Sequence, residues 1–270
     1  MADESRRRRL LSVAMPLTAI PGLLPRRTHN PDFEVSPPDL ASAVSDMRAE
    51  PVRLERPVLV LSGWRSPALV SLAMAERLAV MTSGRSEDFF PLAYPLSGDI
   101  REIVRRVANE TASKYPGESS ERTAEVDVVA HSMGGLVARA GACGMIQGAP
   151  RLRIARLFTL GTPHRGAKLA RAIAPDAAAK AMRPGSSFLA ELDERLADAE
   201  FELTCYAHLN DRWVGATHCA PPGMEPIWTA GTRAFSHFSV TEDRRILADI
   251  ARRLRGETPL AQGPSKPPRD

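Results

Sequence analysis

From Pro57 onward, short runs of apolar and β-branched residues alternate with stretches in which apolar positions recur every three or four residues. This alternation of two periods is the signature of βαβ units around a mainly parallel sheet. The pattern predicts strands at Val58–Leu61, Phe89–Tyr94, Val126–Ala130, Ile154–Leu160, Phe201–Tyr206 and Pro226–Thr229. Helices are predicted at Ala68–Met81, Met133–Met145 and Val240–Leu254, with another that Asp99 caps and that carries Ile103, Val104, Val107 and Ala108 on one face. An Ala-rich stretch from Arg165 to Asp198 reads as mostly helical, forming either a small cap or helices packed on the sheet edge. The fold class is therefore α/β: a mainly parallel central sheet flanked by helices, without internal repeats.

Proline separates the ends of the chain from its middle. Residues 1–56 read as a Pro-rich arm, residues 57–255 as the folded domain and residues 256–270 as a tail with little to bury, expected to be disordered. In the arm, Arg6–Arg9 precedes an apolar stretch, Leu10–Leu24, that Pro16, Pro21 and Gly22 interrupt. It reads as a segment packed on the domain or loosely ordered, with a twin-Arg-like export signal as the alternative. The stretch is too short to span a bilayer as a helix. A cytoplasmic location is the reading adopted, with export kept as the alternative.

Composition narrows the function classes. The 270 residues are 43% apolar and 25% charged, which excludes a wholly disordered chain and a polytopic membrane protein. Residues 1–56 hold 9 basic and 8 acidic side chains and residues 57–255 hold 25 and 22, so the net charge of +4 is spread thinly. No nucleic-acid footprint results. Cys143, Cys205 and Cys219 are too few and too uneven for a zinc site or a disulfide framework. Cys205 and Cys219 are expected as thiols in a reducing compartment and as a possible bridge outside one. The chain has no metal cluster, phosphate loop or dinucleotide fingerprint, so no cofactor or metal is expected.

The segment Val126-Asp127-Val128-Val129-Ala130-His131-Ser132-Met133-Gly134-Gly135 carries the chemistry. A buried strand runs straight into a serine with small residues two before and two after it, and then into a helix. A side chain on so tight a turn takes a strained backbone, and bulk at either flanking position would collide across it. The turn lifts the Ser132 hydroxyl above the sheet at a helix N-terminus, which favours negative charge. Ser132 is therefore the candidate nucleophile, with a structural turn serine as the alternative.

This elbow resembles the lipase/esterase branch of the α/β-hydrolase fold when read with three other motifs. They are Leu61-Ser62-Gly63-Trp64 upstream, the run Thr159–Ala167 (TLGTPHRGA) downstream and the late run from His237 to Ile250 (HFSVTEDRRILADI). The resemblance covers residues 57–255 and implies a serine, acid, histidine triad in that chain order, with an oxyanion hole of backbone N–H groups. The chemistry asks for the same parts, because a serine needs a histidine base and the base needs a carboxylate to hold its tautomer.

Of six histidines, His237 stands after the last strand and before the final helix, where this fold places its base. His164 and His218 remain as competitors, His131 is expected to turn its ring away from Ser132, and His29 and His208 read as loop residues. Asp211 is the candidate acid, in a turn after the strand at Phe201–Tyr206; it lacks the glycine that similar enzymes often carry there. Asp193 and Asp198 read as a solvated helix face, and Asp127 as a strand residue pointing away. Met133 N–H and Trp64 N–H are the expected oxyanion donors, with a core or rim aromatic as the alternative for Trp64. Similar enzymes read His-Gly-x where this chain has Ser62-Gly63-Trp64, which leaves the usual side-chain support of that loop open. The resemblance implies an ester hydrolase acting on a small-molecule ester or lipid. Acyl transfer through the same intermediate, or a non-catalytic binding module, are the alternatives.

Overall fold

A computed structural model describes residues 29–232 and 235–268. Its frame is a six-stranded, all-parallel sheet in the order β2-β1-β3-β4-β5-β6, formed by β1 Val58–Leu61, β2 Phe89–Leu92, β3 Arg122–His131, β4 Arg151–Leu160, β5 Glu202–His208 and β6 Ile227–Thr229. The alternation of side chains along each strand sorts the core into two layers. Leu59 and Leu61 of β1, with Val126, Val128 and Ala130 of β3, face α3 (Ile100–Lys114) and α4 (Met133–Ala142). Val58, Val60 and Val129 face the other way, toward α2 (Ala68–Met81) and α8 (Arg244–Leu254).

The predicted strands and helices are present, with shifted ends. β3 and β4 begin earlier than expected because their first turns of strand carry Arg122, Arg151 and Arg153, whose polarity reads as loop. The expected helix Val240–Leu254 divides: Val240–Glu242 is a 3-10 turn, and Asp243, extended at φ −66° and ψ 109°, caps α8 by accepting the Arg245 N–H. Among the described helices, none is long and apolar enough to cross a membrane.

The Arg165–Asp198 stretch is less helical than its alanines suggest. Pro175, Pro184 and Gly185 cut it into α5 (Ala177–Ala181) and α6 (Ser187–Glu194), capped by Asp176 and Ser186, between single 3-10 turns. Ala178, Phe188, Leu189 and Leu192 are buried in the same layer as α3 and α4, so the stretch packs on the domain.

Residues 29–56 and 256–268 are more ordered than their composition indicates. Ser36 caps a helix, α1 (Pro37–Ala49), whose Val44 and Met47 join Phe33 in the layer with α2 and α8. The expected disorder of the tail is corrected over residues 256–268. The buried Asp249 carboxylate accepts the N–H groups of Leu260 and Ala261 at 2.6 and 2.8 Å, and Ala261 is buried. Gln262 and Ser265 N–H then bond the carbonyls of Asp32 and Pro226, which seats the tail against the arm and the edge of β6. The apolar stretch Leu10–Leu24 and its possible export signal lie outside the described residues.

Candidate active site

The carboxyl ends of all six parallel strands share one edge of the sheet, and the candidate residues gather there. Strand β3 ends at His131 and α4 starts at Met133, leaving Ser132 alone to make the turn. Its φ of +53° and ψ of −127° lie in a region costing a non-glycine residue ~1–3 kcal/mol. The surroundings hold it there: Ser132 N–H donates to Leu160 O at 2.9 Å, and Thr162 Oγ1 donates to Ser132 O at 2.8 Å. The small neighbours are steric necessities. A Cβ on Gly134 would stand 2.7 Å from Ser62 O, and one on Gly63 would stand 2.9 Å from Ser132 Cβ. Ala130, where similar enzymes carry glycine, fits its methyl into the core under the elbow.

His237 lies on α7 (Ser236–Ser239), with Nε2 3.0 Å from Ser132 Oγ and Nδ1 2.8 Å from Asp211 Oδ2. All three side chains are buried. The other oxygen of Asp211, Oδ1, accepts the N–H groups of Trp213 and Val214 at 2.9 and 3.0 Å. Burial alone would raise this carboxyl; the His237 hydrogen bond and charge, with the two amides, outweigh it and hold it below its ordinary value. The glycine missing from the Asp211 turn is replaced by Asn210 in the left-handed region at φ +62°, and Gly215 takes φ +93° further on. Trp213 stacks parallel on the His237 ring at 5.6 Å and Phe238 meets that ring edge-on.

The competitors are occupied elsewhere. His164 is buried between Arg139 Nη1 and Thr159 Oγ1, both at 3.1 Å, with Cys205 Sγ at 3.6 Å from Nε2; burial holds its pKa well below the ordinary range. His218 bonds Gly166 O, and His208 lies between Ser236 O and the Asp243 carboxylate. His29 pairs with Glu34 in the arm. Asp127 is paired with Arg156, away from the elbow. Asp193 departs from expectation: its carboxylate turns inward to the buried Arg139 at 3.1 Å. Asp198 closes the 3-10 turn Arg195–Asp198. Cys205 and Cys219 are buried thiols.

His131 also departs from expectation. Its ring stands 5.1 Å from that of His237, and its Nε2 donates to the His237 carbonyl at 2.9 Å. Burial, reinforced by His237, pushes its pKa down to about 3, so the ring is neutral and able to hold the segment that carries His237.

The candidate oxyanion groups belong to two segments that flank Ser132. Met133 N–H belongs to the first turn of α4, where N–H groups have no intrahelical acceptor. The close packing of Gly63 on Ser132 brings the Ser62–Trp64 loop against the hydroxyl. Tyr94 OH donates to Ser62 O beneath this loop.

Comparison with known proteins agrees with this fold. The PGAP1-like alpha/beta domain family matches residues 98–174, from just before α3 through the elbow to the turn after β4. Among curated proteins none matches the sequence. Of solved structures, the lipase BlEst2 of Bacillus licheniformis in its propeptide form aligns at TM-score 0.56 and 15% identity over 80% of this chain and 54% of that one. Lipase B of Aspergillus fumigatus aligns at 0.55 and 14% over 90% and 66%. Phospholipase PlaB of Legionella pneumophila aligns at 0.45 and 18% over 57% and 38%. The chain spans less than two thirds of each of these proteins.

This is the α/β-hydrolase fold. In it, the cleft above Ser132 holds about 540 Å³ including its open mouth, and its walls are largely apolar: Trp64, Leu169, Ile173, Met182, Trp213 and Phe238. Among the described residues, no group of three His, Cys, Asp or Glu side chains is placed to hold a metal ion. Three residues in contact with the candidate site escape sequence reading: His131, Trp213 and Asp176. Each acts through a contact remote in sequence, so no local period or spacing marks it.

Proposed function

We propose that this protein hydrolyses carboxylic esters through an acyl-enzyme on Ser132. The observation that carries the reading is the unbroken contact from Asp211 through His237 to Ser132, at 2.8 and 3.0 Å, at the floor of an apolar cleft. With Nδ1–H directed at the ionised Asp211, the free lone pair of His237 Nε2 accepts the Ser132 proton as Oγ attacks the ester carbonyl. Asp211 stabilises the imidazolium that forms. Met133 and Trp64 N–H groups receive the developing oxyanion, and His237 returns its proton to the leaving alkoxide. Water, activated by the same imidazole, then releases the acid.

The substrate class follows from the walls of the cleft. Exposed Ile173, Trp213 and Phe238 line the cleft itself. An apolar rim of this kind favours esters with an apolar acyl chain over small charged ones.

Hydrolysis of p-nitrophenyl esters from acetate to palmitate, measured beside the Ser132→Ala variant, tests the reading. Loss of the serine should lower kcat by up to ~10⁶-fold. Equal rates in the two proteins would refute it, and acylated glycerol formed in a glycerol-supplemented assay would redirect it to acyl transfer.

A further inference from the structure

The oxyanion loop is braced from the far side of the cleft by one carboxylate. Asp176 Oδ2 accepts three hydrogen bonds: from the Trp64 indole Nε1 at 3.1 Å, from Arg65 Nε at 3.1 Å and from Arg65 Nη2 at 2.9 Å. Its other oxygen, Oδ1, accepts Ala179 N–H at 2.8 Å and so caps α5. The Asp176 side chain is only 14% exposed. It packs on Gly98, where an added Cβ would meet Asp176 Cβ at 3.1 Å, and Ala178 N–H bonds Gly98 O beside it.

The loop it grips needs holding. Arg65 is one of only three non-glycine residues at positive φ among the described residues, at +52°, and it immediately follows the proposed donor Trp64. The guanidinium lies 5.2 Å over the Trp64 ring, so indole and guanidinium reach the same carboxylate as one unit. Where similar enzymes carry a histidine, Ser62 leaves its hydroxyl buried without a hydrogen-bond partner among the described residues. Support from the Ser62 side chain is therefore missing, and Asp176 supplies side-chain support from outside the loop.

We propose that Asp176 is a positioning residue for the oxyanion hole: by clamping Trp64 and Arg65 it aims the Trp64 N–H, and by capping α5 it makes that aim depend on the seating of the segment over the cleft. The inference rests on the serine-hydrolase reading above. Its consequence is that the wall of the cleft and the hole are assembled together. Ala179 and Met182 of that wall stand on or directly after α5, so an acyl chain that packs against them also steadies the carboxylate that braces the hole.

The cap and the clamp separate by mutation. Asp176→Ser keeps an effective helix cap but is too short to reach the loop. Asp176→Asn keeps a single acceptor oxygen, which serves either the cap or the clamp but not both, and removes the charge. The expected result is a kcat lowered ~10–100-fold in Asp176→Ser, with a smaller loss in Asp176→Asn and a KM within about threefold of the parent, as for a misaimed oxyanion donor. A trifluoromethyl ketone, whose hemiketal presents an oxyanion, should lose affinity in parallel with kcat/KM, whereas a non-hydrolysable ether analogue of the substrate should bind unchanged. A capping role alone would leave both kcat and ketone affinity at the parent value in Asp176→Ser, and that result overturns the proposal. If Asp176→Ser does not fold, judged by circular dichroism, the same comparison on Asp176→Asn decides. Labelling of Ser132 by a fluorophosphonate is run on every variant. Labelling in the parent that fails to slow in Asp176→Ser sinks this inference alone, while absence of labelling in the parent sinks the hydrolase reading with it.

Discussion

At the scale of single residues, burial decides what the histidines can do. His131 and His164 lie in the interior with their pKa values pushed down, the first to about 3, and both are neutral in the folded protein. Unfolding exposes them to water, where they regain the ordinary value of 6.5. Above that pH neither state is protonated and the pair contributes no pH dependence. Below it the unfolded chain takes up protons that the folded chain refuses, so stability falls as pH falls. Between pH 7 and pH 5 His131 should remove ~2 kcal/mol, and His164 acts in the same direction. Urea unfolding at the two pH values measures this, and a flat stability would show that the interior admits the charge. His237, by contrast, has Asp211 on one nitrogen and Ser132 on the other.

At the scale of elements, the question is what fastens α6 to the domain. Arg139 of α4 is fully buried and reaches Asp193 Oδ1, the Leu192 carbonyl and His164 Nδ1, each at 3.1 Å. A buried guanidinium without its carboxylate is costly, ~3–5 kcal/mol where the pair is wholly enclosed. Asp193 is about a third exposed, and the two other acceptors remain, so Asp193→Ala should cost less, ~1–3 kcal/mol. Thermal or urea denaturation checks the value, and a change below about half a kcal/mol would show that the Leu192 carbonyl and His164 suffice. Sequence reading placed Asp193 on a solvated face because its neighbours Glu191 and Glu194 are charged. Its true partner is 54 residues away on another helix, and helical period carries no trace of that.

At the scale of the whole molecule, the described parts of the arm and the tail close around the last helix and β6. Asp249 has no exposed surface and bonds both ways: Tyr206 OH at 2.6 Å and Arg253 Nε at 2.8 Å through Oδ2, and the backbone of Leu260 and Ala261 through Oδ1. Asn30 extends the closure by donating to Trp228 O at 2.7 Å. Asp249→Ala should release residues 258–268, leave Arg253 and the Tyr206 hydroxyl without their acceptor and cost roughly 3 kcal/mol. Hydrogen exchange at Leu260 and Ala261 should then accelerate to the rate of an open chain, and retained protection would contradict the account. Activity of the folded fraction should persist, because this closure lies away from the carboxyl edge that carries Ser132.

The sequence by itself determined the alternation of strands and helices from Pro57 to Leu254, because burial on a sheet imposes a period of two and packing on it imposes a period of three to four. It also determined the elbow, since the small residues around Ser132 answer a local steric demand, and it singled out His237 and Asp211 by their order relative to the strands. Tertiary structure alone decided the distances that join those three side chains and the inward turn of Asp193. It also decided the grip of Asp176 on Trp64 and Arg65 and the order of the tail. These depend on which groups meet across long stretches of chain. Polar residues such as Asp176, Asp193 and Asp249 have the same letter whether water or a buried partner satisfies them, and only the folded packing says which.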